Sequence, residues 1–419
     1  MRSGHAPRFL LVGTGGSSGK TLAMVETAIL RRVPEASFLF ADTQPFNLRS
    51  RGLTPYPGTA EVRVFSPQGC GMRTPTGSQT TNLLLNGGPF AYRRLVDCVS
   101  GLFDPRPDVV VICHDRMYVE TAILRAARRH GVPTVLLQEG PFCAIGDARP
   151  QAAGLRIKAA LAPFVNRLGI VPSIPDYGLF GHDRILAASG RYADTWIRAG
   201  VPADRIEVTG VPRFDIFAAM PEARPVRRDN GPLRLLYLAQ PFAAHRKVSM
   251  KAASAALDLL AAGLNQACEE GPLELTIRAH PRAGGHAVKQ LCDALAFEPA
   301  LDSGERPIEH AIRDADATVG HYSTGLLESL MLNRPAICMP IPSSAFAEHS
   351  EATKQRWLVS IGIPVCRTPE EIALTLAAQR ASNEMKAVLW DVVAEETGIV
   401  DGGSAMRVAD ALLRIATRS

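Results

Sequence analysis

Three short stretches of the chain combine residue types that handle phosphates and protons. In LTIRAHPRAG, alternation along a strand puts Thr276, Arg278 and His280 on one face, opposite Leu275 and Ile277. A cation and an imidazole at the C-terminal end of a parallel strand lie where open α/β sheets bind ligands. Arg282 adds a further donor for phosphate. In HYSTGLLESLMLNRP, Ser323 and Thr324 stand where a strand passes into a helix. Hydroxyls and free N–H groups at such a point form a phosphate cradle. Glu328, four residues past Thr324, falls one turn further along the same helix face. Its carboxylate could accept from both hydroxyls of a ribose. Together the two stretches suit a nucleoside mono- or diphosphate. LAQPFAAHRK could add Gln240, Arg246 and Lys247, although the basic pair reads more simply as a solvated loop.

The third stretch, LLQEGPF, offers Glu139 at a strand end. A carboxylate shielded from water there can have a raised pKa and act as a general base. CHDR supplies His114 and Asp115 at the neighbouring strand end as second candidates for base or acceptor contact. Each of these residues also has a plain structural use. His-Pro ends a strand, Ser and Thr cap helices, Glu328 could be a solvated surface group, and Glu139 could cap a segment or pair with an arginine.

A glycine-rich turn, LLVGTGGSSGKTLAM, follows the first strand and resembles a phosphate-binding loop. The nucleoside-triphosphate motif G-x-x-x-x-G-K-[ST] requires glycine at position 14, which is Thr14; Gly13 stands one place early. A P-loop kinase or NTPase is therefore disfavoured. Gly15 and Gly16 still allow a sharp bend and close approach of a ligand to the helix N-terminus. Lys20 has no assigned contact.

These groups need elements to hold them, and the hydrophobic pattern supplies strands alternating with helices. FLLV, ASFLFAD, DVVVIC, PTVLLQ, RILAAS and IEVTG read as strands. Between them, Leu22, Val25 and Ile29 share one helix face, as do Val119, Ile123 and Ala126 before Gly131. Residues 150–182 are less regular, and GLRIKAALAPFVNRLG is basic and amphipathic: a surface helix covering core, or an element facing acceptor or membrane. PEARPVRRDNGP reads as a linker. The rhythm then restarts with LRLLYLAQ, a helix near Ser249–Leu264, LELTIRAHP, ATVGHYS, a helix from Thr324 to Leu332, PAICMPI and GIPVC. Ser404 is a candidate N-cap for a last helix. The expected architecture is α/β, with two Rossmann-like domains facing a cleft and mostly parallel sheets. The first domain spans 1–222 and holds the acceptor, the second spans 233–395 and holds the nucleotide donor, and 396–419 form a helix returning toward the first.

Composition limits the partners. With 419 residues, 46% hydrophobic and 21% charged, the chain is long enough for two globular cores. A net charge of +5 without a dense basic stripe excludes a dedicated nucleic-acid binder. Eight cysteines stand singly, several inside apolar runs, which reads as reduced thiols in a cytoplasmic protein. No run approaches the length of a membrane span, so any membrane contact would be peripheral, at the inner face.

The order of Gln138-Glu139-Gly140, His280-Pro281 and Ser323-Thr324 resembles the acidic-Gly, His-Pro and Ser-Ser/Thr motifs of bacterial sialyl-, polysialyl- and Kdo-transferases that use CMP-sugars. These are GT-B glycosyltransferases. RIEVTGVPRFD followed by a linker resembles the end of the first domain in capsule and teichoic-acid (CDP-glycerol-type) transferases and in the UDP-GlcNAc 2-epimerase group. The resemblance implies an inverting transferase building a surface polysaccharide or glycolipid. Glu139 would deprotonate the acceptor hydroxyl, His280 would donate to the leaving phosphate, and Ser323 and Thr324 would bind it. No metal or other cofactor is implied. Gln138 departs from the sialyl pattern, where an acidic residue is common, and this leaves Kdo-like sugars and other donors open. The rival readings are a UDP-GlcNAc 2-epimerase-like isomerase, a CDP-glycerol-type phosphotransferase, a P-loop enzyme, and a non-catalytic nucleotide-sugar-binding partner. Oligomeric state is left open.

Overall fold

The computed structural model describes residues 6–14, 16–46, 54–73, 79–141, 157, 160–161, 164, 167–169, 172–220, 231–240, 242–243, 247–280, 285–321, 323–347, 361–381 and 390–417. The chain divides into two compact units. One comprises Met1–Pro141, Ile157–Ala218 and Ala394–Ser419, and the other Phe142–Arg156 and Ala219–Val393.

The first unit runs β1 (Arg8–Gly13), α1 (Ser17–Arg32), β2 (Ser37–Asp42), β3 (Glu61–Val64), α2 (Gln79–Leu85), α3 (Pro89–Ser100), β4 (Val109–Ile112), α4 (Tyr118–Arg129), β5 (Thr134–Leu137), β6 (Arg184–Ala187), α5 (Gly190–Arg198), β7 (Ile206–Val208) and α6 (Asp215–Ala219). Its seven strands lie in the order β3-β2-β1-β4-β5-β6-β7. All are parallel, with Leu10 beside Leu39 on one side and Val110 on the other. Strands β4 and β5 are buried at every position, which explains their unbroken apolar runs: helices cover both faces of such a sheet. Phe9, Leu11, Val111 and Leu137 pack with Leu22, Val25 and Ile29 of α1.

The second unit runs β8 (Leu233–Ala239), α7 (Met250–Glu269), β9 (Leu273–Ala279), α8 (Gly285–Ala294), β10 (Ala300–Asp302), α9 (Ile308–Asp314), β11 (Ala317–Gly320), α10 (Thr324–Met331), β12 (Ala336–Cys338) and α11 (Pro369–Ala381). The parallel order is β10-β9-β8-β11-β12. Leu235, Tyr237, Leu275 and Ile277 meet Leu257, Leu260 and Leu264 of α7 and Ile372 and Leu376 of α11. After α12 (Trp390–Thr397), the final helix α13 (Ser404–Ala416) buries Val408, Ala409 and Leu412 in the core of the first unit. At about 1.5–3 kcal/mol per fully buried aliphatic side chain, that face anchors the C-terminus to the β1–α1 layer.

The architecture is the expected α/β pair of Rossmann-like parallel sheets, and several details differ from the sequence reading. Strands β3 and β10 are edge strands with mostly exposed side chains, so no apolar rhythm marks them. GIPVC contributes a single bridge, Val365 to Cys338, and no named strand. Ser404 is not the N-cap of the last helix: Gly403 holds that place, and the Asp215 carboxylate accepts from the backbone N–H of Ser404 (3.0 Å) and Ala405 (2.7 Å). A cap 189 residues away in sequence leaves no local signal. The cysteines are not all single either. Cys70 and Cys98 form a disulfide with Cα atoms 5.6 Å apart, whereas Cys113, Cys338 and Cys366 are buried free thiols. Folding closes a separation of 28 residues that spacing alone does not pair. Gly15, Cys143, Arg246, Arg282 and residues 221–230 of the linker lie outside the described residues. Among the described residues no helix is long and apolar enough to cross a membrane.

Candidate functional site

In the first unit the strand order reverses direction between β1 and β4, the position where doubly wound sheets bind ligands at strand C-termini. The glycine turn sits there. Gly16 has φ +63°, a left-handed conformation that glycine adopts without steric cost, and it delivers the chain into α1. Ser18 is buried, and its Oγ accepts from the N–H of Thr14 at 3.2 Å, closing the turn on itself. Lys20 is exposed. Ser17 points elsewhere: its hydroxyl donates to Glu139 Oε1 at 3.3 Å. The turn and the carboxylate singled out in the sequence therefore belong to one cluster.

Glu139 is fixed on both sides. The Arg213 Nε donates to its carbonyl at 2.7 Å. The preceding Gln138 is fully buried and uses both ends of its amide. Its Oε1 accepts from Ala188 N–H at 2.8 Å, and its Nε2 donates to Gly140 O at 2.9 Å. A carboxylate at 138 could accept from Ala188 but could not donate to Gly140, so this chain's departure from the acidic motif has a structural cause.

His114 and Asp115 take opposite directions at the end of β4, as alternation requires. Asp115 turns inward. Its Oδ2 accepts from Gly178 N–H at 2.9 Å and pairs with buried His182 Nε2 at 3.0 Å, a structural clamp rather than an acceptor-facing base. The His114 side chain is 42% exposed, and its Nδ1 lies 3.5 Å from Oε2 of Glu120, which is 1% exposed. Glu120 accepts from Met117 N–H at 3.0 Å and from the Thr43 hydroxyl at 3.3 Å. Burial opposes protonation of His114, but the carboxylates of Glu120, Asp115 and Glu139 outweigh it and raise the imidazole above its ordinary range. Tyr177 closes this edge, its hydroxyl donating to Cys113 O at 3.0 Å and its ring centre 6.4 Å from that of His114. Glu120 escaped the sequence reading, although it stands three residues past Met117, at the N3 position where a helix-capping carboxylate belongs.

The second unit reverses between β8 and β11. Ser323 caps α10, its Oγ accepting from Gly325 N–H at 3.1 Å, and Thr324 is exposed at the first helical position. A Cβ on Gly325 would lie 2.4 Å from the Leu238 side chain, so glycine lets this helix N-terminus close onto β8, which ends beside half-buried Gln240. Glu328 is buried at 4% exposure, not a solvated surface group. His280 follows β9 and is half-buried. Arg278, two residues earlier, is committed elsewhere: its guanidinium meets Asp302 at 2.7 Å and also the carbonyls of Arg306 (2.6 Å) and Gly304 (3.4 Å). It stitches β9 to the edge strand β10 and the turn after it. The buried His321 was also missed. Tyr237 OH donates to its Nε2 at 3.0 Å, and its Nδ1 donates to Met339 O at 3.1 Å. Burial pushes its pKa down to about 4, so this imidazole is neutral. Among the described residues no group of three or more His, Cys, Asp or Glu could hold a metal ion.

No protein-family model matches the chain, and comparison with curated proteins gives no match. Solved structures do align over its whole length. UDP-GlcNAc 2-epimerase from Neisseria meningitidis, bound to UDP-GlcNAc, superposes with a TM-score of 0.55 at 11% identity, covering 99% of this chain and 100% of that one. The calicheamicin glycosyltransferase CalG4 gives 0.55 at 17% identity, covering 100% and 99%. The wall teichoic acid polymerase TagF gives 0.54 at 13%, covering 98% and 89%. Other UDP-GlcNAc 2-epimerases recur among the neighbours. At these identities the likeness establishes the GT-B type fold.

Proposed function

We propose that the protein is an enzyme acting on a nucleotide-activated sugar, with UDP-sugar 2-epimerisation as the leading reading. The observation that carries it is a division of labour between two switch points. The first gathers titratable groups, His114 over Glu120 and Glu139 beside Ser17. The second presents an uncharged helix N-terminus, Ser323 and Thr324, with buried Glu328 one turn on. The second suits the diphosphate and ribose of a nucleotide. The first suits proton transfer: moving a sugar C–H from one face of the ring to the other needs one group to take a proton and another to give one. Glu139 is the acceptor in this scheme. His114, held by Glu120, is the donor, and the surrounding carboxylates favour its protonated form. The recurrence of UDP-GlcNAc 2-epimerases among the structural neighbours supports the nucleotide and the reaction class.

A second reading is inverting glycosyl transfer, with a CMP-sugar such as Kdo or a sialic-acid-like sugar as donor and a glycan or glycolipid as acceptor. The Ser17 hydroxyl favours it, since it donates to Glu139 in the manner of an acceptor hydroxyl about to be deprotonated. His280, Ser323 and Thr324 would then stabilise the leaving phosphate.

One set of measurements tests both. Thermal unfolding with UDP, CMP, CDP, GDP and ATP identifies the nucleotide through the rise in melting temperature that binding produces. Incubation with UDP-GlcNAc alone in deuterated water follows, read by NMR. Epimerisation places deuterium on the sugar without any acceptor. Transfer leaves the donor intact until an acceptor is added. Stabilisation by ATP alone, with no turnover of any nucleotide sugar, rejects both readings.

A further inference from the structure

The first unit holds a pocket that neither reading of the reaction uses. Phe46, Pro67, Met72, Leu83, Leu95 and Tyr118 wall it, and its volume is about 390 Å³ with the open mouth included. Apolar clefts of that order are where small molecules bind. The walls come from separate segments that are tied to one another. The Cys70–Cys98 disulfide fastens the turn carrying Pro67 and Met72 to α3, and Met72 N–H donates to Pro67 O at 2.8 Å. Tyr118 N–H donates to Gln79 Oε1 at 3.0 Å, which joins α4 to α2. These ties shape the pocket without a ligand. Tyr118 stands two residues before Glu120 on α4, so the pocket neighbours the carboxylate that holds His114.

Charge and apolar surface around the pocket select its occupant. Arg73 is the exposed cation of the lining, and its N–H donates to Asn86 Oδ1 at 2.7 Å. Asn86 O accepts from the Arg94 guanidinium at 2.8 Å, so one asparagine gathers two exposed arginines. At the same turn between α2 and α3, Leu84, Leu85 and Phe90 are 42%, 63% and 67% exposed. Arg93, also exposed, and Arg94 lie one helical turn past Phe90 on α3. No aspartate or glutamate occurs from Gln79 to Val96, and the next one, Asp97, pairs with Arg129 at 3.5 Å. The apolar walls suit a hydrocarbon chain, the apolar side chains at the turn extend that surface into water, and the arginines suit a phosphate or carboxylate. An acidic protein segment would use the arginines and leave the pocket empty. A neutral apolar molecule would fill the pocket and leave the arginines idle. We propose that this corner binds an anionic amphiphile, with its hydrocarbon chain in the pocket and its head group at Arg73 and Arg94. The site stands whichever reaction the strand ends perform.

The probe is decyl phosphate, titrated below its micelle concentration into the full chain and followed by calorimetry. Decyl maltoside, with the same chain and a neutral head, and inorganic phosphate are the comparisons. Decyl phosphate is expected to bind and to raise the melting temperature, with the maltoside about tenfold weaker and inorganic phosphate unable to displace it. Arg94→Glu, at an exposed position, should weaken decyl phosphate about tenfold or more and leave the maltoside unchanged. Leu83→Phe narrows the pocket and should weaken both. Melting temperatures without ligand check that each variant folds, and Arg94→Glu carries the test alone if the buried change does not. Co-sedimentation with phosphatidylcholine vesicles, with and without phosphatidylglycerol, separates two sources of the ligand. Pelleting with the anionic vesicles, lost in Phe90→Asp, identifies a bilayer lipid; binding of the soluble probe alone identifies a free amphiphile. Four results overturn the proposal: no binding of decyl phosphate, maltoside binding as tight, displacement by inorganic phosphate, or a folded Arg94→Glu or Leu83→Phe variant that binds decyl phosphate like wild type.

Discussion

The two α/β units share a topology and differ in what they place at their strand ends. In the first, His114 and Glu139 follow β4 and β5, and against the opposing effect of burial the carboxylates around the imidazole, Glu120 above all, raise its pKa. In the second, the corresponding ends carry a capped helix N-terminus and a histidine that burial keeps neutral, while Arg278 near the end of β9 is tied to an edge aspartate. The same parallel-sheet architecture therefore presents titratable groups at the strand ends of one unit and a capped helix N-terminus at those of the other. The difference lies in which side chains the core holds beneath the surface.

The largest expected effect is on the proton-transfer side. Glu139→Gln keeps the shape and the Ser17 contact but removes the base, and turnover should fall about 10²–10⁴-fold. Melting temperature and nucleotide affinity should stay near wild type. An active Glu139→Gln enzyme would remove the chemical half of the contrast.

The neutral histidine of the second unit gives the next effect. His321 has a folded pKa of about 4, below the roughly 6.5 of an unfolded histidine. Between these values the unfolded chain binds a proton that the folded one refuses, so stability rises with pH across this window. The whole window is worth on the order of 3 kcal/mol. His321→Gln keeps hydrogen-bonding groups but no titration, and chemical denaturation at pH 4.5 and pH 7 should show a smaller difference than in wild type. An identical slope would place the acid sensitivity elsewhere.

Gln138 marks where sequence reasoning stopped. Glu139 was legible because a carboxylate at the end of an apolar strand, before glycine, is unusual. Gln138 looked only like a mismatch to an acidic motif, since nothing local says that Ala188 and Gly140 take its two ends. Glu120 and Asp215 were lost for the same reason: a helix-internal or loop carboxylate reads as surface until the fold supplies its partner. Arg278 was placed on the right strand, but its partner Asp302 belongs to an edge strand with no periodicity to announce it. The sequence thus exposes what a strand presents at its end. It hides the groups that hold that end in place, because their partners lie tens of residues away. Gln138→Glu tests this directly: it leaves Gly140 O facing a carboxylate and should cost about 1–3 kcal/mol by denaturation. A variant as stable as wild type would mean that the amide is not what fixes Glu139.

The smallest effect separates holding from binding in the second unit. Ser323 accepts from Gly325 N–H, and Ser323→Ala should cost about 1 kcal/mol as a lost cap. Glycine is nearly as good as serine at this position, so Ser323→Gly should lose only a few tenths of a kcal/mol. The pair distinguishes two roles for one hydroxyl. If Ser323 also meets phosphate, both variants weaken nucleotide binding to a similar degree, although only alanine weakens the fold. If its sole task is the cap, Ser323→Gly binds nucleotide like wild type. The anion site would then rest on Thr324 and the backbone N–H groups, and the contrast between the two units would narrow to the geometry of a helix N-terminus.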